Sequence, residues 1–176
     1  GGEYEPKLPS FDIFNRQTHY IEIYNAGKRS FDFTSSSPDE WIKMTRSKGP
    51  FGLDDRVWIS IDWDKAPSGR AHGSVTISGT GSEVTVIVEA FKPSQPSPET
   101  LSGFVEGEGF VSMEAEHYTS RSEAGYARWT RIGDYGHTLS GMRASSSANA
   151  PAAIPGKDSP CLEYPMYLFT TGKIDV

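Results

Sequence analysis

The chain has 176 residues and a formal net charge of −6, so it offers no basic surface for a phosphate backbone, and nucleic acid is excluded as an expected partner. No run of about eighteen apolar residues occurs, which excludes a helical membrane span. The opening "GGEYEPKLPS" has neither a basic nor an apolar region of the kind a signal peptide carries. A single cysteine, Cys161, rules out an intrachain disulfide and argues against a cysteine-based zinc site. With 18 glycines, 12 prolines and 12% aromatic residues, the composition predicts short strands joined by turns: an all-β chain.

In chain order, "HYIEIYNAG" alternates strictly. Ile21 and Ile23 share one face, Tyr20, Glu22 and Tyr24 the other, and Asn25-Ala26-Gly27 ends the run. "SFDF" repeats the alternation with Phe31 and Phe33, and "WIKMT" follows, with Trp41 read as core. In "RVWISIDW", Val57, Ile59, Ile61 and Trp63 share a face, which leaves Trp58 pointing away from it. "GSVTISGTGSEVTVIVEAF" reads as two strands around Gly79-Thr80-Gly81-Ser82, with Val84, Val86, Val88 and Ala90 inward. Period-two patterning with this punctuation predicts an antiparallel sandwich over residues 1–91, of immunoglobulin-like size.

"KPSQPSPETLSG", residues 92–103, holds three prolines and three serines and reads as an extended linker. Beyond it, strands are expected in "FVSMEAEHYT", "YARWTRI", "CLEYPMYLF" and a final "GKIDV", with a soft stretch, "SGMRASSSANAPAAIPGKDSP", between the second and third. A jelly-roll sandwich needs about eight strands. Residues 104–176 are therefore expected to be the N-terminal part of such a fold, incomplete as it stands, with the missing strands supplied elsewhere.

Candidate chemistry concentrates in this second part. Glu114 and Glu116, two apart on an expected strand, would leave the same face roughly 7 Å apart. An inverting glycosidase pair must flank its bond from opposite sides, so parallel neighbours are a poor dyad, and no catalytic residue is assigned. The same carboxylates could serve as oxygen ligands for a structural calcium. Alternatively, they are paired with Arg121, Arg128 or Arg131 or bonded to backbone amides. His117 would fall on the opposite face, as a core or edge histidine. For sugar binding, Tyr126 and Trp129 offer flat faces, and the interleaved Arg128 and Arg131 suit a uronate carboxylate. The plainer alternative makes Trp129 core and the arginines solvated.

Several long stretches, "LPSFDIFNRQTHYIEIYNAGKRSFDFT", "VWISIDWDKAPSG", "VSMEAEHYTSR", "WTRIGDYGHTLSGM" and "CLEYPMYLF", resemble the C-terminal accessory region of glycoside hydrolase family 115, the xylan α-1,2-glucuronidases. "EAEHYT" is similar to the opening strand of family 6 and 35 carbohydrate-binding modules, where the second glutamate helps to hold calcium; that likeness implicates Glu116, with Glu114 as helper. The resemblance implies a parent enzyme whose upstream (β/α) barrel removes glucuronic or 4-O-methylglucuronic acid from xylan with inversion. Nothing in this chain matches that barrel. The resemblance thus implies a non-catalytic accessory or scaffolding segment, itself inactive and needing no cofactor beyond a structural calcium. Its partners would be the barrel or the rest of the parent, a second copy of the chain, or xylan, and its location would be secreted or periplasmic. The alternatives are a stand-alone carbohydrate-binding module and a structural β-sandwich surface protein.

Overall fold

The computed structural model describes residues 5–24, 27, 29, 31–45, 48–50, 54–135, 139–149, 154 and 158–175. The chain is all-β, as its composition indicates, and divides into two compact units, Gly1–Thr100 and Leu101–Val176. Among the described residues no helix is long and apolar enough to cross a membrane.

The first unit has two sheets around one core. The larger contains β1 (Phe11–Asp12), β8 (Ser82–Lys92), β7 (Gly69–Gly79), β3 (Asp32–Ser36) and β5 (Lys48–Pro50), in that order. The smaller is β2 (His19–Tyr24), β6 (Asp54–Ile61) and β4 (Ile42–Met44). All the pairings are antiparallel except that of β1 with β8. The alternation explains the core. Val57, Ile59 and Ile61 of β6 face Phe33 of β3, Val75 of β7 and Val86, Val88 and Ala90 of β8 in a single buried cluster, and Ile21, Ile23, Phe31 and Trp63 pack against it. Trp41, just ahead of β4, is buried there too.

β7 and β8 form a hairpin closed by Thr80 and Gly81, both at positive φ (52° and 80°). This is the mirror-image turn whose twist suits a two-residue connection. Val84 departs from expectation: it is 50% exposed. It lies near the tip of a hairpin of eleven-residue strands, whereas β2 and β6 of the facing sheet have six and eight; burial begins two residues further on, at Val86. β1 was not foreseen either. Its Phe11 is fully buried, and its Asp12 accepts the Phe14 and Asn15 amides at 2.9 and 2.7 Å and the Gln17 side chain at 2.5 Å, which turns the chain away from β8.

Among its described residues the second unit contains three two-stranded pairings. β9 (Phe104–Val105) runs parallel to β14 (Met166–Tyr167), while β10 (Ser120–Ser122) pairs with β13 (Cys161–Glu163), and β11 (Ala127–Ile132) with β12 (Gly141–Ser146), both antiparallel. Four expectations need correction. "VSMEAEHYT" is not a strand: the His117 amide donates to the Glu114 carbonyl at 3.0 Å, making a turn through Ala115 and Glu116. "GKIDV" is not a strand over its described residues. The soft stretch contributes β12, whose polar residues need no buried face because most of them are exposed. "CLEYPMYLF" is two strands, split at Tyr164-Pro165, since proline has no amide to continue a ladder. Asn25 and Ala26 of the expected turn, residues 150–153 and 155–157 of the soft stretch, and Val176 lie outside the described residues.

Ala127 is the one buried apolar residue of the second unit among those described, so polar ties carry much of its order. Glu106, 6% exposed, accepts the amides of Phe169 and Thr170 at 2.7 and 2.9 Å and the Thr170 hydroxyl at 2.6 Å. Gly103 precedes β9 at φ +87°, where a Cβ would sit 2.2 Å from the Pro165 carbonyl oxygen, so only glycine permits that approach.

Two outcomes are expected. Gly73 in β7 faces Trp41, Asp39 and Ile42, with an added Cβ falling 2.6–2.9 Å from their atoms. Gly73→Ala is expected to destabilise the first unit by about 1–3 kcal/mol in urea unfolding, against alanine's better strand propensity, through overpacking. The hydroxyl and the amide of Thr170, with the amide of Phe169, hold the Glu106 carboxyl below its ordinary value of 4.5. A lowered folded-state pKa means that the unfolded chain binds the proton more readily, so this stabilisation is complete above that value and fades as pH falls through the lowered one. Glu106→Gln is expected to unfold earlier than the native chain at neutral pH, with the gap narrowing below pH 4.5 when melting is followed across pH.

Candidate functional site

A polar cavity of about 300 Å³ lies in the second unit, lined by Glu116, His117, Tyr118, Arg121, Trp129, Arg131 and Met142. Three pieces of chain build it. The turn at 114–117 presents Glu116 and His117, and β10 carries Arg121. The β11–β12 hairpin supplies the remaining wall: Trp129 and Arg131 alternate onto one face, and the register sets Met142 opposite Arg131. The turn is held from below by the Tyr164 hydroxyl, which donates to the Ala115 carbonyl at 2.7 Å. Burial, with a smaller contribution from Tyr118, pushes the Tyr164 phenol up, so it stays a neutral donor.

Glu116 is the centre of the arrangement. Its Oε2 accepts from Arg131 Nε at 2.7 Å and from the hydroxyl of Ser140, a residue only 2% exposed. Arg131 Nε also lies 2.7 Å from Ser140 Oγ, which closes a three-membered cluster. Of the partners expected for this carboxylate, Arg131 is the one it takes. His117 stands 3.8 Å from Glu116 Oε1 with its side chain 57% exposed, so it is a surface histidine beside the carboxylate and not a core one. The turn, which ends the strand alternation, is the reason.

The calcium reading can be tested on this geometry. Calcium takes six to eight oxygen ligands, whereas Glu116 already meets a guanidinium and a hydroxyl, and a cation beside Arg131 would be repelled. Among the described residues no three His, Cys, Asp or Glu side chains gather in metal-ligand fashion. The residues as arranged do not fit a calcium ion.

The four residues proposed for sugar binding divide by strand parity. Trp129 and Arg131 line the cavity; Tyr126 and Arg128 are not among its lining. The Tyr126 hydroxyl donates to the Asp158 carbonyl at 2.9 Å, and Arg128 is exposed. Sequence reasoning missed Tyr118, Arg121 and Met142 as members, because Tyr118 follows the unforeseen turn at 114–117 and β10 and β12 had no alternating signal. The indole Nε1 of Trp129 is buried and has no hydrogen-bond partner among the described residues.

A second feature lies in the first unit, on the outer face of its three-stranded sheet. Tyr20 and Trp58, paired across β2 and β6, are both 40% exposed, with rings 5.0 Å apart edge to face. Arg56 covers the Tyr20 ring at 4.6 Å and donates to Glu22 from Nε and Nη2 at 3.1 and 3.0 Å.

Comparison with known proteins gives one family match: residues 103–176 fit the model of the glycosyl hydrolase family 115 C-terminal domain. No curated protein matches the chain. Among solved structures, similarity is found to a Bacteroides ovatus GH5 xyloglucanase in complex with a XXXG heptasaccharide, at 20% identity and a TM-score of 0.39, covering 54% of this chain and 19% of that one. The chain therefore spans about a fifth of that protein's length. The periplasmic chaperone SfaE is similar at 10% identity and a TM-score of 0.40, with 93% and 97% covered. The Pseudomonas aeruginosa CupB2 chaperone is similar at 12% and 0.37, with 90% and 85% covered. At such TM-scores these likenesses carry no argument about role.

If Glu116 and Arg131 act as a pair, their effects on stability must be non-additive. In a double-mutant cycle of Glu116→Ala and Arg131→Ala, a coupling of about 0.5–1 kcal/mol is expected from chemical unfolding, modest because Arg131 is largely exposed.

Proposed function

We propose that this chain, which carries the C-terminal region of a family 115 glycosyl hydrolase over residues 103–176, is a non-catalytic accessory segment of a xylan α-1,2-glucuronidase. The family match is the observation that carries the reading. The parent's catalytic part would release glucuronic or 4-O-methylglucuronic acid from xylan, and this segment would serve it as scaffold. Since such a substrate is a polymer outside the cell, the parent would be secreted or periplasmic.

The first unit offers the surface for that role. Tyr20, Trp58 and Arg56 stand together on the outer face of the smaller sheet, and Trp, Tyr and Arg are the residue types that dominate protein interfaces energetically. Their rings meet edge to face, and Arg56 occupies one face of Tyr20. That leaves a poor flat platform for a sugar but a good anchor for a protein surface. The catalytic part of the parent is the occupant this reading assigns to it, and a second copy of the chain is the competing one.

Two measurements test this. The isolated chain is expected to release no acidic sugar from glucuronoxylan. Mixed with the catalytic part of its parent, it is expected to form a complex in analytical ultracentrifugation that Tyr20→Ala with Trp58→Ala weakens at least tenfold. Hydrolysis by the chain alone, or a complex indifferent to both substitutions, would overturn the assignment; self-association lost with those residues would give the face to a second copy instead.

A further inference from the structure

The second unit leaves an apolar groove of about 750 Å³ open on its surface, walled by Phe110, Val111, Met113, Met166, Leu168 and Ile174. All of these but Val111 are between 37% and 64% exposed. They are held in place and are not fraying ends. Phe110 closes a tight turn in which it exchanges backbone bonds with Gly107 at 3.0 and 3.2 Å, with Glu108 and Gly109 at positive φ (53° and 83°). Glu106, also in the lining, pins the Phe169 and Thr170 amides that follow Leu168. The groove is thus preformed.

One wall of this groove is a free sheet edge. β14 lies parallel to β9, with the Phe104 amide donating to the Pro165 carbonyl at 3.0 Å and the Glu106 amide to the Tyr167 carbonyl at 2.9 Å. Alternate residues of such a ladder turn their backbone groups to opposite sides, so those of Met166 and Leu168 point away from β9. Among the described residues they have no hydrogen-bond partner. Unpaired amide and carbonyl groups along an edge are a template for another strand. The side chains of the same two residues line the groove, so a strand added at this edge would lay every second side chain into it.

Charge restricts the occupant further. Lys173 is paired with Asp175 at 2.7 Å, and both oxygens of Glu106 are taken by Phe169 and Thr170. The lining therefore offers no unpaired charge, and its complement is uncharged and apolar. A second copy of the chain is a poor complement, because two chains of net charge −6 repel each other and one concave groove does not fill another. We propose that the β14 edge and its groove take an extended strand of the parent polypeptide from outside these residues, apolar and uncharged at every second position. The accessory reading enters only as the source of the strand; the site needs neither glucuronidase activity nor the Tyr20–Trp58 face.

The test titrates short overlapping synthetic peptides, tiled across the rest of the parent sequence, into the ¹⁵N-labelled chain and follows the Met166 and Leu168 amides. A peptide with apolar residues at alternate positions is expected to shift both signals saturably and to slow their hydrogen exchange at least tenfold. Phe110→Lys and Ile174→Lys, at the two most exposed of the apolar walls, are each expected to weaken that binding at least tenfold with unchanged melting. Tyr20→Ala with Trp58→Ala is expected to leave it intact. No protecting peptide, equal protection by its scrambled version, or binding indifferent to both lysine substitutions would overturn the proposal. Protection that grows with chain concentration in the absence of peptide would give the edge to a second copy and overturn it too. Complex formation through Tyr20 and Trp58 is read separately, so failure here leaves the accessory assignment standing.

Discussion

Two buried or nearly buried carboxylates, Glu106 and Glu116, bear the order of the second unit. In the first unit a shared apolar core does the equivalent work, with Phe11, Phe33, Val57, Ile59, Val75 and Val88 removed from water almost completely. The second unit has Ala127 as its buried apolar residue among those described. A carboxylate in such a place is stable only if its oxygens are satisfied. Glu106 meets this by joining the segment after β9 to the segment after β14, and Glu116 by joining the 114–117 turn to the β11–β12 hairpin. Each carboxylate thereby fixes the neighbour of a strand pairing that is only two strands wide.

That difference explains why the two units were unequally legible. A strand buried on one face must alternate, and β2, β3, β6, β7 and β8 do. Val84 broke the pattern only because alternation reports which face a residue shares, not whether anything covers that face. In the second unit, β10 and β12 are largely exposed, so no constraint wrote a period into them. "VSMEAEHYT" carried an apparent alternation, but the deciding term was a single backbone bond from His117 to Glu114, reinforced by Tyr164 some fifty positions away. Local pattern holds no record of a tie to so distant a residue.

The candidate site was half legible for the same reason. Trp129 and Arg131 were identifiable because β11 is a real strand and they share its inward parity. Tyr126 and Arg128 belong to the other parity and were grouped with them by nearness in sequence alone. The remaining walls come from β10, from β12 and from the turn, brought together by pairings of Arg121 with Leu162 and of Arg131 with Met142 that no single segment encodes.

The Glu116–Arg131 pair also bears on the electrostatics of the cavity. An unpartnered glutamate at this position would attract a cation, which is what the sequence likeness to calcium-binding modules implied. Once Arg131 and Ser140 take Glu116 Oε2, the carboxylate's field is largely neutralised locally, while Arg121 meets Glu123 only at 3.9 Å. With Arg131 removed, Glu116 would stand as an unpaired carboxylate that draws donors and cations. Ser140 holds that pair in place. Being almost fully buried, its hydroxyl bridges the carboxylate and the guanidinium, so the pairing is fixed by the residue just ahead of β12.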